Sequence, residues 1–190
     1  MTAASAYLDA LDDWQQILPG LRALAPVVEE LGKTFVDCWK QDGKIIFAGN
    51  GGSAADAMHF AEELVVRFHK NRRALAAMAL LDSTMITCAG NDMGYESIFA
   101  RQIDAIGRRG DVFVGITTSG NSPNILSAMD IARRRGIKTV GFLGKDGGKL
   151  KGRCDLQILV PIPATHRVQE VHKLLFHALC VWIDEIAHTI

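Results

Sequence analysis

The sequence has no surplus of charge of either sign: 21 lysines and arginines stand against 21 aspartates and glutamates in 190 residues, a formal net charge of +0. A chain so balanced lacks the broad basic field that draws polynucleotides or anionic membranes, so any anion it binds must be held locally. Long apolar runs are missing too. The longest, Leu174 to Ile183, is interrupted by His177 and falls far short of the roughly 20 residues of a membrane span. The first ten residues, Met1 to Ala10, show no basic region followed by a continuous apolar stretch, so no signal peptide is read and a cytoplasmic location is expected. Cysteine is sparse: Cys38, Cys88, Cys154 and Cys180 include no CxxC pair and no short spacing, which excludes a disulfide framework and a structural zinc knot. Each is expected as a small buried hydrophobe. With 48% hydrophobic and only 22% charged residues, the chain is no candidate for disorder. Its length suits one domain that buries roughly two thirds of its unfolded surface.

What is present is periodicity, and it changes along the chain. Leu8, Leu11, Trp14 and Leu18 form one helical stripe, Leu24, Val28, Leu31, Phe35 and Trp39 a second, with the break between them expected at Pro19-Gly20. Five short apolar runs follow, Lys44–Ala48, Leu75–Ala79, Val112–Ile116, Lys138–Phe142 and Leu156–Val160, the pattern of strands buried on both faces. Helical segments are predicted between them at about 53–68, 84–107 and 122–135, and a last helix at about 166–188. In that last helix Val171, Leu175, Ala178, Trp182 and Ile186 form a stripe that Val168, Leu174, Leu179 and Ile183 widen, which favours contacts between subunits. Alternating strand and helix specify an α/β fold with an open, mostly parallel sheet. With no repeat, linker or low-complexity tract, residues 1–190 are read as one domain: helices in 1–42 for packing and oligomerisation, then an α/β core and C-terminal helix in 43–190.

In such a sheet ligands bind beyond the carboxyl ends of the strands, and two of the loops there are unusual. Gly49-Asn50-Gly51-Gly52-Ser53 leads straight into a helix. Glycines allow close backbone approach, Ser53 is placed to cap the helix, and first-turn N–H groups attract an anion. The second loop, Thr117-Thr118-Ser119-Gly120-Asn121-Ser122, precedes Pro123 and reads as a cap followed by proline at the first helical position. Its four hydroxyls suggest a phosphate held by O–H and N–H donors in place of lysines. Gly49, Gly51 and Ala54 also satisfy GxGxxA, but the acidic residue of a dinucleotide site is missing at its usual spacing, Asp82 lying well beyond it. No nucleotide cofactor is expected.

The helix after the first loop places Asp56, His59 and Glu63 on one face. They stand one to three turns from an expected phosphate anchor, where the rest of a ligand would extend. Gln169 and His177 on the last helix, and Asn91-Asp92 between Gly90 and Gly94, are further candidates. Periodicity alone does not bring the last helix to the sheet edge.

Gly49 to Ser53, His59-Phe-Ala-Glu-Glu63-Leu64, Gly90-Asn-Asp92, Thr117 to Ser122 and Arg167-Val-Gln169-Glu-Val-His172 with His177 resemble, in order and over almost the whole chain, the phosphoheptose isomerases of the sugar isomerase (SIS) family. The resemblance implies a flavodoxin-like three-layer sandwich around a five-stranded parallel sheet, and a homotetramer with active sites between subunits. It implies conversion of sedoheptulose 7-phosphate to D-glycero-D-manno-heptose 7-phosphate, a step toward bacterial lipopolysaccharide, with neither nucleic acid nor membrane as partner. By position, Asn50, Gly51, Gly52, Ser53, Thr117, Thr118, Ser119 and Ser122 belong to the phosphate loops, and Arg67, Asn91, Asp92 and Gln169 to sugar binding. Glu63 and His177 correspond to the catalytic pair. Some members hold zinc at positions matching His59, Glu63, Gln169 and His177, so one zinc ion per subunit is expected. Gln169 and His177 are eight residues apart, about 12 Å along a helix, so one metal reaches both only with extended side chains or by drawing them from different subunits. His166 departs from the acidic residue some members carry, a difference that bears on sugar preference or metal affinity.

Three other readings compete with the isomerase. A non-catalytic SIS protein, a sugar-phosphate binder or a partner of the replication initiator, is similar over the same span, yet such relatives lack acid/base residues at the positions of Glu63 and His177. A sugar-phosphate-sensing regulator is expected to add a DNA-binding segment, and no basic extension precedes the domain. An NAD-dependent oxidoreductase ranks third on the GxGxxA match alone.

Overall fold

The computed structural model describes residues 1–190. Two helices, α1 (Ala3–Leu21) and α2 (Ala25–Lys40), lead into β1 (Ile45–Gly49), α3 (Gly52–Val65), β2 (Ala77–Ala79), α4 (Ser83–Met93), α5 (Ala100–Ile106), β3 (Val112–Thr117), α6 (Pro123–Arg134), β4 (Lys138–Gly144), β5 (Leu156–Val160) and α7 (Thr165–Ile186). The five strands form one all-parallel sheet in the order β2-β1-β3-β4-β5. The chain leaves β1 toward one edge and β3 toward the other, so the loops after these two neighbouring strands open a crevice between them.

Alternation along β1 assigns the layers. Ile45 and Phe47 pack with residues of α2, α3 and α7, whereas Ile46 and Ala48 pack with α4, α5 and α6. The inner strands β1 and β3 are buried along their length, and β4 at every residue after Lys138, as continuous apolar runs require. The edge strands differ from that expectation: β2 is half-buried and only three residues long, and β5 alternates buried with half-buried residues. Each edge is covered less completely by its flanking helices.

Other expectations need correction. Pro19 lies inside the last turn of α1, and the break comes at a 3-10 turn, Arg22–Leu24. A proline so near the end forfeits few intrahelical bonds. The segment predicted as one helix over 84–107 is split because Gly94, at φ 89° and ψ 153°, leaves helical geometry and a 3-10 turn intervenes before α5. On α7 the buried face runs through Val168, Val171, Phe176, Leu179 and Ile183, leaving Leu174, Val181 and Trp182 exposed. Of the cysteines, Cys38 and Cys180 are buried, Cys154 is half-buried and Cys88 is exposed on α4. Burial pushes the thiols of Cys38 and Cys180 up to about 12 and that of Cys154 to about 11, so these three stay protonated and inert. No helix is long and apolar enough to cross a membrane.

Candidate active site

The first loop turns sharply out of β1. A Cβ on Gly49 would stand 2.3 Å from the Ser53 carbonyl oxygen, and Gly51 takes φ 55°. That left-handed residue starts the helix two positions before Ser53, so Gly51 occupies the cap and Ser53 becomes the buried second residue of α3. The second loop is packed as closely. Gly120, at φ 65°, lies so near the next loop that a Cβ would fall 1.8 Å from the Gly147 carbonyl. Ser122 occupies the cap position of α6, but its hydroxyl turns to Thr117 Oγ1 at 2.9 Å instead of capping the backbone. Asn121 folds back on Ser119, its N–H donating to Oγ at 3.2 Å and its amide to the carbonyl at 2.9 Å.

Asn50 and Asn124 fasten the two loops together. The Asn50 amide donates to Asn124 Oδ1 at 2.9 Å, the Asn124 amide returns a bond to Asn50 Oδ1 at 2.8 Å, and the Tyr95 hydroxyl donates to that same oxygen at 3.0 Å. Asn124 is fully buried, so this pairing satisfies groups that would otherwise be costly to bury. Sequence reasoning missed Asn124, because its partner lies 74 residues away.

The last helix reaches the site through a ring stack. Phe60 of α3 lies on Phe176 of α7 with centroids 3.9 Å apart and planes 12° apart, both fully buried. Each Phe contributes roughly 1.5–3 kcal/mol by leaving water, and the stack fixes the helices against each other. Their sequence neighbours then meet: the rings of His59 and His177 stand 5.1 Å apart, edge to face. His59 Nε2 is 2.9 Å from Glu63 Oε1, one turn further along α3. One ligand atom each from His59, Glu63 and His177 falls within 4.8 Å of the others.

Phe68 also stacks on His177, with ring centroids 5.5 Å apart. Burial lowers the imidazole of His177 from its ordinary value, and the neighbouring His59 adds to the effect. His177 is therefore neutral near pH 7, and its buried Nε2 has no hydrogen-bond partner within the chain. Beneath lies Asp56, on the same face of α3. Burial raises its carboxyl, against the opposing influence of Lys173, whose Nζ stands 3.3 Å away. Asp56 Oδ2 is likewise buried and unpartnered. Two histidines and a carboxylate whose ligand atoms lie this close together fit the nitrogen and oxygen preferences of a zinc ion. They equally fit proton exchange with a bound polar ligand.

The other predicted residues divide into two groups. The Gln169 amide stands over the first loop, where a Cβ on Gly52 would meet its nitrogen at 2.6 Å. Thr118 and Ser119 are half-buried in the second loop, next to the buried Thr117. Arg67 is exposed beyond the end of α3, and His166 is exposed in the first turn of α7. Asn91 and Asp92 are exposed in the last turns of α4, hydrogen-bonded to each other at 2.7 Å and, through Asp92, to Cys88.

Comparison with known proteins identifies the family. The SIS domain family matches residues 11–144. The chain is 52% identical over 160 residues to the phosphoheptose isomerase of Paramagnetospirillum magneticum, covering 84% of this chain and 83% of that one. Among solved structures it is similar to a phosphoheptose isomerase from Francisella tularensis at 35% identity, with a TM-score of 0.92 over 97% of this chain and 100% of the other. The phosphoheptose isomerase of Neisseria gonorrhoeae is similar at 39% identity, with a TM-score of 0.85 over 96% of each chain. A five-stranded parallel sheet with hydroxyl-rich loops at its crevice, matched over most of its length to these proteins, places the chain in the SIS domain family, among the phosphoheptose isomerases, and makes it an enzyme of the isomerase class.

Proposed function

We propose that this enzyme converts sedoheptulose 7-phosphate to D-glycero-D-manno-heptose 7-phosphate through an enediol, supplying heptose for bacterial lipopolysaccharide precursors. The observation that carries the reading is the meeting of Glu63 and His177 beside one another, on helices whose N-terminal ends adjoin the crevice. In the proposed mechanism the phosphate rests on Asn50 to Ser53 and on Thr117, Thr118, Ser119 and Ser122, held by hydroxyls and backbone N–H groups. The Glu63 carboxylate removes a proton from C1 of the ketose, leaving an enediol, and returns it to C2 to give the aldose. His177 moves a proton between the two oxygens: O2 gains one as the carbonyl is lost, and O1 gives one up as the new carbonyl forms. An imidazole held neutral by burial suits that exchange near pH 7.

His59, Glu63 and His177, joined by Gln169, would hold one zinc ion per subunit. When bound there, zinc supplies polarisation of the sugar oxygens, which acidifies the carbon-bound proton. The exposure of Arg67, Asn91 and Asp92 supports a site completed between subunits of a homotetramer, with these three reaching sugar held by a neighbour. An apolar groove between α2 and α7, lined by Val28, Gly32, Leu175 and Trp182, supports the same assembly, as do Tyr7, Leu8, Leu11 and Leu18, exposed on α1.

Solvent deuterium incorporation into sedoheptulose 7-phosphate, followed by NMR, tests the reading. Wild type should exchange and form aldose, whereas Glu63→Gln and His177→Ala should lose turnover by a hundredfold or more, on the order of the contribution of general acid–base catalysis. Unchanged turnover in both variants would overturn the mechanism. A wild type that is inert with and without added zinc would favour a non-catalytic sugar-phosphate binder. Metal analysis of protein purified without chelator tests the zinc, and light scattering the tetramer.

A further inference from the structure

Arg72 and Asp184 form an ion pair sealed from solvent, Nε to Oδ1 at 2.9 Å, with side chains only 4% and 2% exposed. Neither drew notice in the sequence, and neither touches the phosphate loops. Their bonds instead lead to the two helices that carry the proposed base and acid. Arg72 Nη2 donates to the Glu63 carbonyl oxygen at 2.6 Å, and Nη1 donates to the carbonyls of Leu64 at 2.8 Å and Arg73 at 3.0 Å. The guanidinium thus occupies the C-terminal end of α3, where unpaired carbonyls and the helix dipole favour a cation. Asp184 lies on α7 two turns beyond His177. Its second oxygen, Oδ2, accepts the N–H groups of His69 and Lys70 at 2.8 Å each.

Between those anchors the chain carries Phe68. Its ring lies on that of His69 at 4.0 Å and on that of His177 at 5.5 Å, inclined by 28°. The His177 imidazole thus rests against two rings, Phe68 and the edge-on His59 at 5.1 Å. An apolar pair could fill the space of Arg72 and Asp184 without the desolvation that buried charges suffer. It would leave the carbonyls of α3 and the two loop N–H groups unpaired, and Phe68 unanchored.

We infer that Arg72 and Asp184 are positioning residues for the isomerisation: they fix the end of α3 that carries Glu63 and hold Phe68 against His177, so that base and imidazole keep one separation and orientation. The inference rests on the proposed roles of Glu63 and His177. A displacement of catalytic groups by about 1 Å costs up to about a hundredfold in rate, so the device acts on kcat more than on capture of the phosphate.

The test uses full-length Asp184→Asn, Phe68→Leu, their double variant and a control, Glu185→Gln, which removes the neighbouring exposed ion pair with Lys70. Steady-state turnover of sedoheptulose 7-phosphate is measured beside NMR spectra of protein labelled at histidine. Asp184→Asn and Phe68→Leu should each lower kcat by about tenfold or more, with KM changed by less than about threefold. The double variant should be no slower than Asp184→Asn alone, since both act through one ring. The His177 ring-proton signals, shielded by Phe68 in the wild type, should move downfield in all three variants, and Glu185→Gln should match wild type in every measurement. Wild-type kcat in folded Asp184→Asn and Phe68→Leu, losses that multiply in the double variant, or unmoved His177 signals would overturn the inference and leave the isomerase reading standing. Should Asp184→Asn fail to fold, Phe68→Leu decides alone, and wild-type kcat in it overturns the inference. An inert wild type overturns both.

Discussion

Replacing Gly52 with alanine should separate activity from stability. The three atoms nearest the new Cβ would all be Gln169's, Nε2 at 2.6 Å and Cδ and Oε1 at 2.9 Å. All three atoms belong to the far end of a flexible side chain, so the collision is relieved by rotating Gln169 away from the loop. Alanine in place of glycine favours a helix by up to about 1 kcal/mol, less at a first turn. Moving a side chain off its preferred rotamer costs about 0.5–1.5 kcal/mol. The two nearly cancel, and the melting temperature should move by no more than about 4 °C for a chain of this size. Activity should fall as in Gln169→Ala, by about two- to tenfold, the range for losing a hydrogen bond to a neutral sugar hydroxyl. Once Gln169→Ala is made, Gly52→Ala should add little. Calorimetry and turnover on the two single variants and the double complete the cycle. Full activity in Gly52→Ala, or losses that multiply, would refute the claim that Gln169 is used where it stands.

Gly120→Ala is the counterexample: its Cβ would lie 1.8 Å from a backbone oxygen at φ 65°, so calorimetry should record a loss of several kcal/mol or no folded protein, and a mild effect would count against the tight loop packing. His172 is fully buried, its Nε2 at 3.2 Å from the Leu143 carbonyl, and burial lowers its pKa from 6.5 to about 4. As pH falls below 6.5 the unfolded chain takes up a proton that the folded chain refuses, so stability is complete above 6.5 and drains away toward pH 4, by about 3 kcal/mol in all. Urea unfolding of His172→Leu should lack that part of the slope, and curves parallel to wild type from pH 7 to 4.5 would contradict it. Asn124→Asp would set two acceptors against each other at Asn50 Oδ1, and should lower stability by about 1–3 kcal/mol, read as a shift in the urea midpoint with an unchanged slope.

The sheet was legible in the sequence because its signal is local. Five apolar runs coincide with β1 to β5 to within two residues at either end; a strand buried between two helix layers must be apolar along its length, as β1 and β3 are, and the less covered β2 and β5 remain apolar enough to be read. The first glycine-rich loop was legible for a similar reason, as Gly51 does adopt positive φ. What each hydroxyl does was less so. Ser53 and Ser122 have the composition of caps, yet Gly51 takes the first cap and Thr117 takes the hydroxyl of Ser122, outcomes decided by the backbone and by a neighbour five residues away. The pairing of α3 with α7 rests on Phe60 and Phe176, 116 residues apart, and no periodicity within either helix names the other. In the loop after α3 the sequence pointed only to Arg67, because Phe68, Arg72 and Asp184 acquire meaning only from one another.

The placement of Phe60 and Phe176 beside His59 and His177 binds this protein's mutational fate to its core. A slip of one residue along either helix turns a side chain by about 100° and shifts it by about 1.5 Å, enough to separate the histidines while the helices stay packed. A deep mutational scan scored by growth would therefore mark both phenylalanines as catalytic, and one scored by abundance would mark them as scaffold. Both rankings would record the same ring stack, and substitutions at the four positions should show epistasis that no catalogue of substrate contacts anticipates.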